Sequence, residues 1–124
     1  MLQWEAAVDQ AKEQYGGLHI LMNVVGSNDL VMLPDVDLEA WNKVFEINVT
    51  ATMVGIQTCA PLIRELGGGS IVNIGSVGGL WGTFSTAYSS SKWALEGLHA
   101  QRPTSTPTGA SAATSSSPDS SPPK

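Results

Sequence analysis

Two short apolar runs, separated by a long helical pattern, constrain the fold of this chain most strongly. Residues 18–25 are almost continuously apolar and end at Gly26, and residues 70–74 form a second, shorter run. Continuous rather than alternating hydrophobicity is typical of parallel strands that are covered on both faces. Helical patterns precede, separate and follow the two runs, so the sequence predicts an α/β fold with parallel strands and a crossover helix.

Three helices are predicted around these strands. The first covers residues 3–15, where apolar positions recur along one stripe. The second begins after Asp37, a good capping residue, and runs over about residues 38–65, with Pro61 as a point where it bends or is interrupted. The third runs over residues 86–99. The predicted order of elements is therefore helix, strand, helix, strand, helix.

Charge and cysteine content argue against several classes of protein. The formal net charge is −5, with six basic side chains that form no cluster, so neither a nucleic acid nor an anionic membrane is an expected partner. The single Cys59 makes no internal disulfide and has no metal-ligand spacing around it, so no metal site is predicted. No apolar stretch is long enough for a membrane span. We therefore expect a cytoplasmic protein.

Composition changes abruptly near the end of the third helix. Residues 100–124 include sixteen Ser, Thr or Pro and no aromatic, Val, Ile, Leu or Met residue. Such a segment has no apolar surface whose burial would offset the entropy cost of ordering it. The sequence therefore predicts a core over residues 1–98 and a disordered C-terminal tail over residues 99–124.

The residues that suit chemistry are Ser76, Tyr88 and Lys92, with Asn48 upstream. Tyr88 and Lys92 are four residues apart in a helical pattern, so they share one face, and a cation beside a phenol favours its phenolate form. Ser76 follows the second strand, at the sheet edge where open α/β sheets bind ligands. These residues predict a proton-transfer site. The alternative is a tyrosine and a lysine that are merely exposed on a helix.

Four segments, in order, resemble the short-chain dehydrogenase/reductase family. They are Asn23-Val24-Val25-Gly26, Ile47-Asn48-Val49, Ile71-Val72-Asn73-Ile74-Gly75-Ser76 and Tyr88-Ser89-Ser90-Ser91-Lys92. The resemblance covers residues 1–98. It implies a partial Rossmann-like fold, a fragment of a doubly wound parallel sheet, and an oxidoreductase that interconverts an alcohol and a carbonyl by hydride transfer with NAD or NADP.

The resemblance also implies roles for individual residues. Tyr88 is expected to be the general acid/base, Lys92 to assist it and bind the nicotinamide ribose, and Ser76 to orient the substrate oxygen. Asn48 is expected to help hold a water that extends the proton relay. The alternative for Asn48 is an amide inside a helix that neighbouring backbone groups satisfy. The cofactor-binding set that the resemblance implies is Asn23, Val25, Gly26, Tyr88 and Lys92.

The sequence departs from the family pattern at several points. Val24 replaces a second Asn, Gly75 stands where a second Ser is common, and no glycine-rich turn precedes a helix as a pyrophosphate site. We therefore expect weak or no activity from this chain alone, and the preference for NAD or NADP stays open. The alternative is a non-enzymatic fragment that pairs with a full-length relative, or with itself, through the two long helices.

Two interpretations of residues 99–124 stay open. In one, a shift of reading frame between Leu98 and Thr104 replaces the strand and substrate-covering loop that follow this helix in the family. In the other, the segment is an ordinary disordered tail. The coding DNA distinguishes them, because only a frameshift leaves a family-like alternate frame without stops.

Overall fold

A computed structural model describes residues 2–100 of this 124-residue chain. Helix α1 (Leu2–Tyr15) is followed by strand β1 (Ile20–Asn23), helices α2 (Leu38–Phe45) and α3 (Ala51–Glu65), strand β2 (Ser70–Asn73) and helix α4 (Thr86–Ala100). Helix α4 includes the first two residues that the sequence assigned to the tail. Residues 101–124, and with them the disorder and reading-frame interpretations, lie outside the described residues.

The two strands form a parallel pair, as the sequence predicted. The register is Ile20 with Ser70, Leu21 with Ile71, Met22 with Val72, and Asn23 with Asn73. Strand β1 is shorter than the predicted run over residues 18–25 because backbone pairing is limited to these four positions. At the start of the pair the backbones approach so closely that a Cβ on Gly69 would lie 1.9 Å from the carbonyl oxygen of His19.

The hydrophobic core lies on one face of the sheet, where α1 and α3 pack. Its buried members are Val8, Leu21, Cys59, Leu62 and Ile63, with Trp4, Leu18, Ile56 and Ile71 packed against them. Cys59 is buried among these apolar side chains, and desolvation raises the pKa of its thiol. The thiol therefore acts as a small apolar core group.

The opposite face of β1 is open, which corrects the expectation that the strand is covered on both sides. Ile20, Met22 and Val24 are 59%, 58% and 69% exposed, whereas Leu21 and Asn23 between them are buried. Alternate side chains of a strand point to opposite faces, so the helices of the described part cover only one set. We call Ile20, Met22 and Val24 the open face.

The long helical pattern over residues 38–65 is continuous in the structure but not uniform. Asp37 caps α2 by accepting a hydrogen bond from the backbone N–H of Ala40 at 2.9 Å. A π-helical turn over Glu46–Thr50 then joins α2 to α3. Pro61 lies inside α3, so the helix is not interrupted at the proline, and a bend there stays a prediction. Within residues 2–100, no helix is both long and apolar enough to cross a membrane.

Two glycine-to-alanine substitutions test the close approach of the strands. We expect Gly69→Ala to lower the free energy of unfolding by at least about 2 kcal/mol, because the new methyl group overlaps the His19 carbonyl. Gly97→Ala is the matched control, since a Cβ at Gly97 meets nothing within 4 Å, and we expect a gain of about 0.5–1 kcal/mol in helix α4. Urea unfolding measures both. Equal midpoints for Gly69→Ala and the unsubstituted chain would contradict the strand geometry.

Candidate active site

Lys92 is the centre of the candidate site. The residue is only 3% exposed, and its Nζ donates hydrogen bonds to the carbonyl oxygens of Val25 and Ile74, each at 3.3 Å. These carbonyls follow β1 and β2, so the ammonium of α4 bridges the carboxyl ends of both strands. Burial lowers the pKa of Lys92 because desolvation disfavours the charged form. The two carbonyl dipoles offset part of that cost.

Tyr88 lies one helical turn before Lys92, on the same face of α4. The Nζ of Lys92 is 5.6 Å from the centroid of the Tyr88 ring, within the range of a cation–π contact. The ring also packs against the turn after β2, because a Cβ on Gly78 would lie 3.1 Å from its Cε1 atom. The structure therefore brings together the phenol and ammonium that the spacing in the sequence predicted.

Ser76 is the N-cap residue of the short 3-10 turn Val77–Gly79, and this turn packs against the Tyr88 ring. Its Oγ accepts a hydrogen bond from the backbone N–H of Gly78 at 3.1 Å. A serine hydroxyl that accepts one hydrogen bond still has a proton to donate. Through Gly78, the half-buried Ser76 is held beside the element that carries Tyr88.

Asn48 lies in the π-helical turn and is completely buried. Its Oδ1 accepts from the Ser27 N–H at 2.7 Å, and its Nδ2 donates to the Ser27 carbonyl at 3.0 Å and to Ser91 Oγ at 2.8 Å. Ser91 Oγ in turn donates to the carbonyl of Tyr88 at 2.7 Å. Both N–H groups of the amide are thus occupied, and the side chain links the segment after β1 to α4. A role in holding a water stays a prediction.

Asn23, Val25 and Gly26 surround the end of β1. Asn23 is buried and donates from Nδ2 to Oδ1 of Asn73, its register partner, at 2.8 Å. Val25 contributes the carbonyl that Lys92 contacts, and a Cβ on Gly26 would lie 3.6 Å from Lys92 Nζ. Asn23 therefore joins the two strands through side chains, while the other two residues contribute backbone beside the ammonium.

Three serines and one aspartate of this network were missed in the sequence. Ser27 and Ser91 bind Asn48, as described above. Ser85 Oγ donates to Oδ1 of Asp29 and accepts from the backbone N–H of Tyr88 at 3.1 Å. Ser85 stands before the first residue of α4, the position at which a capping serine is common, and this was an available signal. No local signal pointed to Asp29, because its partner is 56 residues away.

A shallow depression of about 520 Å³ lies on the surface of α2 and the π turn, and neither Tyr88 nor Lys92 lines it. It is lined by Leu38, Glu39, Asn42, Lys43 and Glu46. Among residues 2–100, no group of three His, Cys, Asp or Glu side chains is arranged to hold a metal ion.

Comparison with known proteins shows that the chain is similar to dehydrogenases. A family model described as short chain dehydrogenase matches residues 1–103. A 3-alpha-(or 20-beta)-hydroxysteroid dehydrogenase of Mycobacterium tuberculosis is 39% identical over 97 residues, which are 77% of this chain and 37% of the relative. A trans-4-hydroxycyclohexanecarboxylate dehydrogenase of Sinomonas cyclohexanicum is 36% identical over 96 residues, with the same coverage of 77% and 37%. The chain thus spans well under half the length of these relatives.

Solved structures agree with the sequence matches. ElxO with NADP bound superposes with a TM-score of 0.72 and 28% identity, over 78% of this chain and 40% of that one. The ligand-free aldohexose dehydrogenase of Thermoplasma acidophilum has a TM-score of 0.72 and 26% identity, over 77% and 38%. These similarities confirm the predicted class, an α/β fold that corresponds to part of a larger Rossmann-like sheet.

The buried ammonium predicts a specific dependence of stability on pH. Because the pKa of Lys92 is lowered in the folded state, the unfolded chain binds more protons between that pKa and the ordinary lysine value of about 10.4. The free energy of unfolding should therefore rise with pH across this window. Tyr88→Phe and Tyr88→Phe/Lys92→Met differ only at the lysine. We therefore expect the free energy of unfolding of Tyr88→Phe, minus that of the double variant, to rise with pH. Urea titrations from about pH 7 to about pH 10 measure it, and a constant or falling difference would show that burial does not act on the ammonium.

Proposed function

Because this chain belongs to the short-chain dehydrogenase family, we propose that it carries the proton-transfer part of an oxidoreductase that interconverts an alcohol and a carbonyl with NAD or NADP. Membership agrees with the resemblance found in the sequence. The observation that carries the proposal is the buried Lys92, held between two strand ends with its Nζ 5.6 Å from the Tyr88 ring centroid.

Tyr88 is the proposed general acid and base. When its proton leaves for the substrate oxygen, negative charge develops on the phenol oxygen, and the nearby Lys92 ammonium stabilises that charge. The charge is effective because Lys92 is shielded from solvent. In the reverse direction the same phenol oxygen accepts the proton of a substrate hydroxyl.

Ser76 is the proposed group that orients the substrate oxygen. Its Oγ is held by the Gly78 N–H, which leaves the hydroxyl proton free to donate to a carbonyl or alcohol oxygen. The packing of Gly78 on the Tyr88 ring supports this role, because it holds the serine turn next to the acid/base residue. Ser76 and Tyr88 thus both act on the same substrate oxygen.

The residues at the end of β1 fit the nicotinamide-bearing part of a cofactor. Two N–H groups of the Lys92 ammonium bind carbonyls, and the third has no acceptor among the described residues, so it suits a ribose hydroxyl. Gly26 leaves open the space beside this ammonium that a side chain would occupy. A bound nicotinamide supplies or accepts the hydride of the reaction.

The pyrophosphate-bearing part of the cofactor has no matching site in this sequence, which lacks the glycine-rich strand-to-helix turn. Orientation of reacting groups contributes up to about 7–11 kcal/mol in well-aligned systems. We therefore propose that the isolated chain binds the cofactor weakly and turns over slowly or not at all.

The segment between the serine turn and α4 favours substrates with an apolar carbon skeleton. Leu80, Trp81 and Phe84 expose most of their apolar surface in this segment, which starts at the Ser76 turn and ends at the first turn of α4. Two relatives are named for ring alcohols, a hydroxysteroid and a hydroxycyclohexanecarboxylate. We propose an alicyclic secondary alcohol, or the matching ketone, as the substrate.

Paired tyrosine substitutions test the acid/base assignment. We expect Tyr88→Phe to lower NAD(P)-dependent turnover of an alicyclic alcohol by at least about 100-fold, because the transferred proton has no donor. NADPH affinity, measured by fluorescence titration, should change much less. Tyr15→Phe, at an exposed position at the end of α1, is the matched control and should leave both values unchanged. Measurable turnover that is equal for Tyr88→Phe and the unsubstituted chain would contradict the assignment.

The second candidate is a non-enzymatic fragment that associates with a full-length member of the family. The open face favours it, because two apolar side chains of β1 and the following Val24 are exposed, and the sheet has only two strands within residues 2–100. Unpaired strand edges and bare apolar faces promote pairing with other chains. Pairing through the long helices stays a prediction, as does self-association.

A charge placed on the open face tests this candidate. In size-exclusion chromatography with the full-length mycobacterial relative, we expect Met22→Lys to weaken any complex by at least about tenfold, because association would bury the new charge. Tyr15→Lys is the control at an exposed site at the end of α1. If the unsubstituted chain forms no complex, or if both variants bind equally, the open face is not the docking surface.

A further inference from the structure

Asp29 makes a long-range contact with the start of the helix that carries the proposed acid/base residue. It lies in the segment after β1, and its Oδ1 accepts a hydrogen bond from the hydroxyl of Ser85 across 56 residues of sequence. Ser85 is completely buried, and its Oγ accepts the backbone N–H of Tyr88 at 3.1 Å. Two hydrogen bonds thus connect the carboxylate to the backbone of Tyr88.

The direction of these hydrogen bonds follows from the charge of Asp29. An ionised carboxylate only accepts, so the single proton of the Ser85 hydroxyl is committed to Asp29. A lone pair of Ser85 Oγ is then left to face the Tyr88 N–H, one of the amides at the helix start that has no partner within the helix. Removing the carboxylate would free the hydroxyl to rotate away from Tyr88.

Two further hydrogen bonds join the segment around Asp29 to the first turn of α4. Thr86 N–H donates to the carbonyl of Val31 at 2.9 Å, and Leu33 N–H donates to Thr86 Oγ1 at 3.1 Å. Val31 N–H also donates to Asp29 Oδ1 at 3.3 Å. Asp29 is therefore held by its own segment and is not a mobile surface carboxylate.

The second carboxylate oxygen of Asp29 is buried in a way that lowers the stability of the fold. Oδ2 of Asp29 is enclosed by protein and has no hydrogen-bond partner among the described residues. Enclosing such an atom without a partner is unfavourable, and a residue that contributed only to stability would gain from a neutral replacement. The hydrogen bond from Ser85 lowers the pKa of Asp29 and so keeps the carboxylate charged.

We propose that Asp29 is a positioning residue for Tyr88. It orients the Ser85 hydroxyl, Ser85 holds the backbone N–H of Tyr88, and the Tyr88 ring is thereby kept against Gly78 with the Lys92 ammonium beside it. The importance of this positioning for turnover rests on the proposed function of Tyr88 as the acid/base residue.

Fluorine NMR of the full chain labelled with 3-fluorotyrosine tests the proposal without any need for activity. The chain has two tyrosines, so Tyr15→Phe identifies the Tyr88 signal. We expect Asp29→Ala and Ser85→Ala to move the Tyr88 signal to a common new position and leave the Tyr15 signal in place. Asp29→Asn should restore the original position, because a carboxamide oxygen can also accept the Ser85 hydroxyl. Asp35→Ala, an exposed aspartate in the same segment, is the control.

Amide exchange gives a second readout of the same link. We expect the Tyr88 amide to exchange about tenfold faster in Asp29→Ala, the effect of one lost hydrogen bond, while the Leu95 amide keeps its rate. An unchanged Tyr88 signal and exchange rate in Asp29→Ala would overturn the proposal. If Asp29→Ala does not fold, Ser85→Thr, which keeps the hydroxyl, must match the unsubstituted chain while Ser85→Ala does not.

Turnover separates this proposal from the proposed function. Where the chain is active, we expect Asp29→Ala to lower kcat about tenfold with little change in KM, and Asp29→Asn to retain most of kcat. A chain that turns over equally fast with and without Tyr88→Phe, but whose Tyr88 signal depends on Asp29, would contradict the proposed function of Tyr88 and support the positioning role. A chain that needs Tyr88 for turnover, but whose kcat and Tyr88 signal are unchanged by Asp29→Ala, would support the proposed function and contradict the positioning role.

Discussion

The buried ammonium of Lys92 is the interaction on which the rest of the site depends. A charged group removed from water needs compensating acceptors, and the only acceptors bound to this Nζ in the described part of the chain are the carbonyls that follow β1 and β2. Both carbonyls are available to one side chain because parallel strands in this register end at the same edge. Helix α4 must therefore cross this edge, and Tyr88, one turn earlier, is placed with it.

The first half of helix α4 is held by hydrogen bonds from the segment after β1 and from the π turn. Ser85 and Asp29 hold its start, and Ser91 is bound through Asn48 to Ser27. Each link joins residues more than twenty positions apart. The segment after β1 thus does more than connect strand to helix, because it determines where the helix with Tyr88 lies relative to the sheet.

Local patterns in the sequence predicted much of this arrangement and failed where the answer depended on neighbours. The spacing of Tyr88 and Lys92 predicted their shared face because four residues complete about one helical turn. The apolar run over residues 18–25 suggested a strand covered on both faces, whereas Ile20 and Met22 are exposed. Hydrophobicity shows that a surface suits burial, and it cannot show whether the described elements cover it. The π turn around Asn48 had no signal in apolar periodicity, since it inserts a single residue into a helical pattern.

The sequence by itself determined the order of helices and strands, the membership in the short-chain dehydrogenase family and the identity of the acid/base candidates, because periodicity and short motifs are local properties. Only the tertiary structure decided that Lys92 binds the ends of both strands, that Asn48 joins Ser27 to Ser91, and that Asp29 reaches Ser85. These contacts depend on hydrogen-bond distances between segments that are remote in the chain. Such distances exist only after the strands pair and α4 packs across their ends.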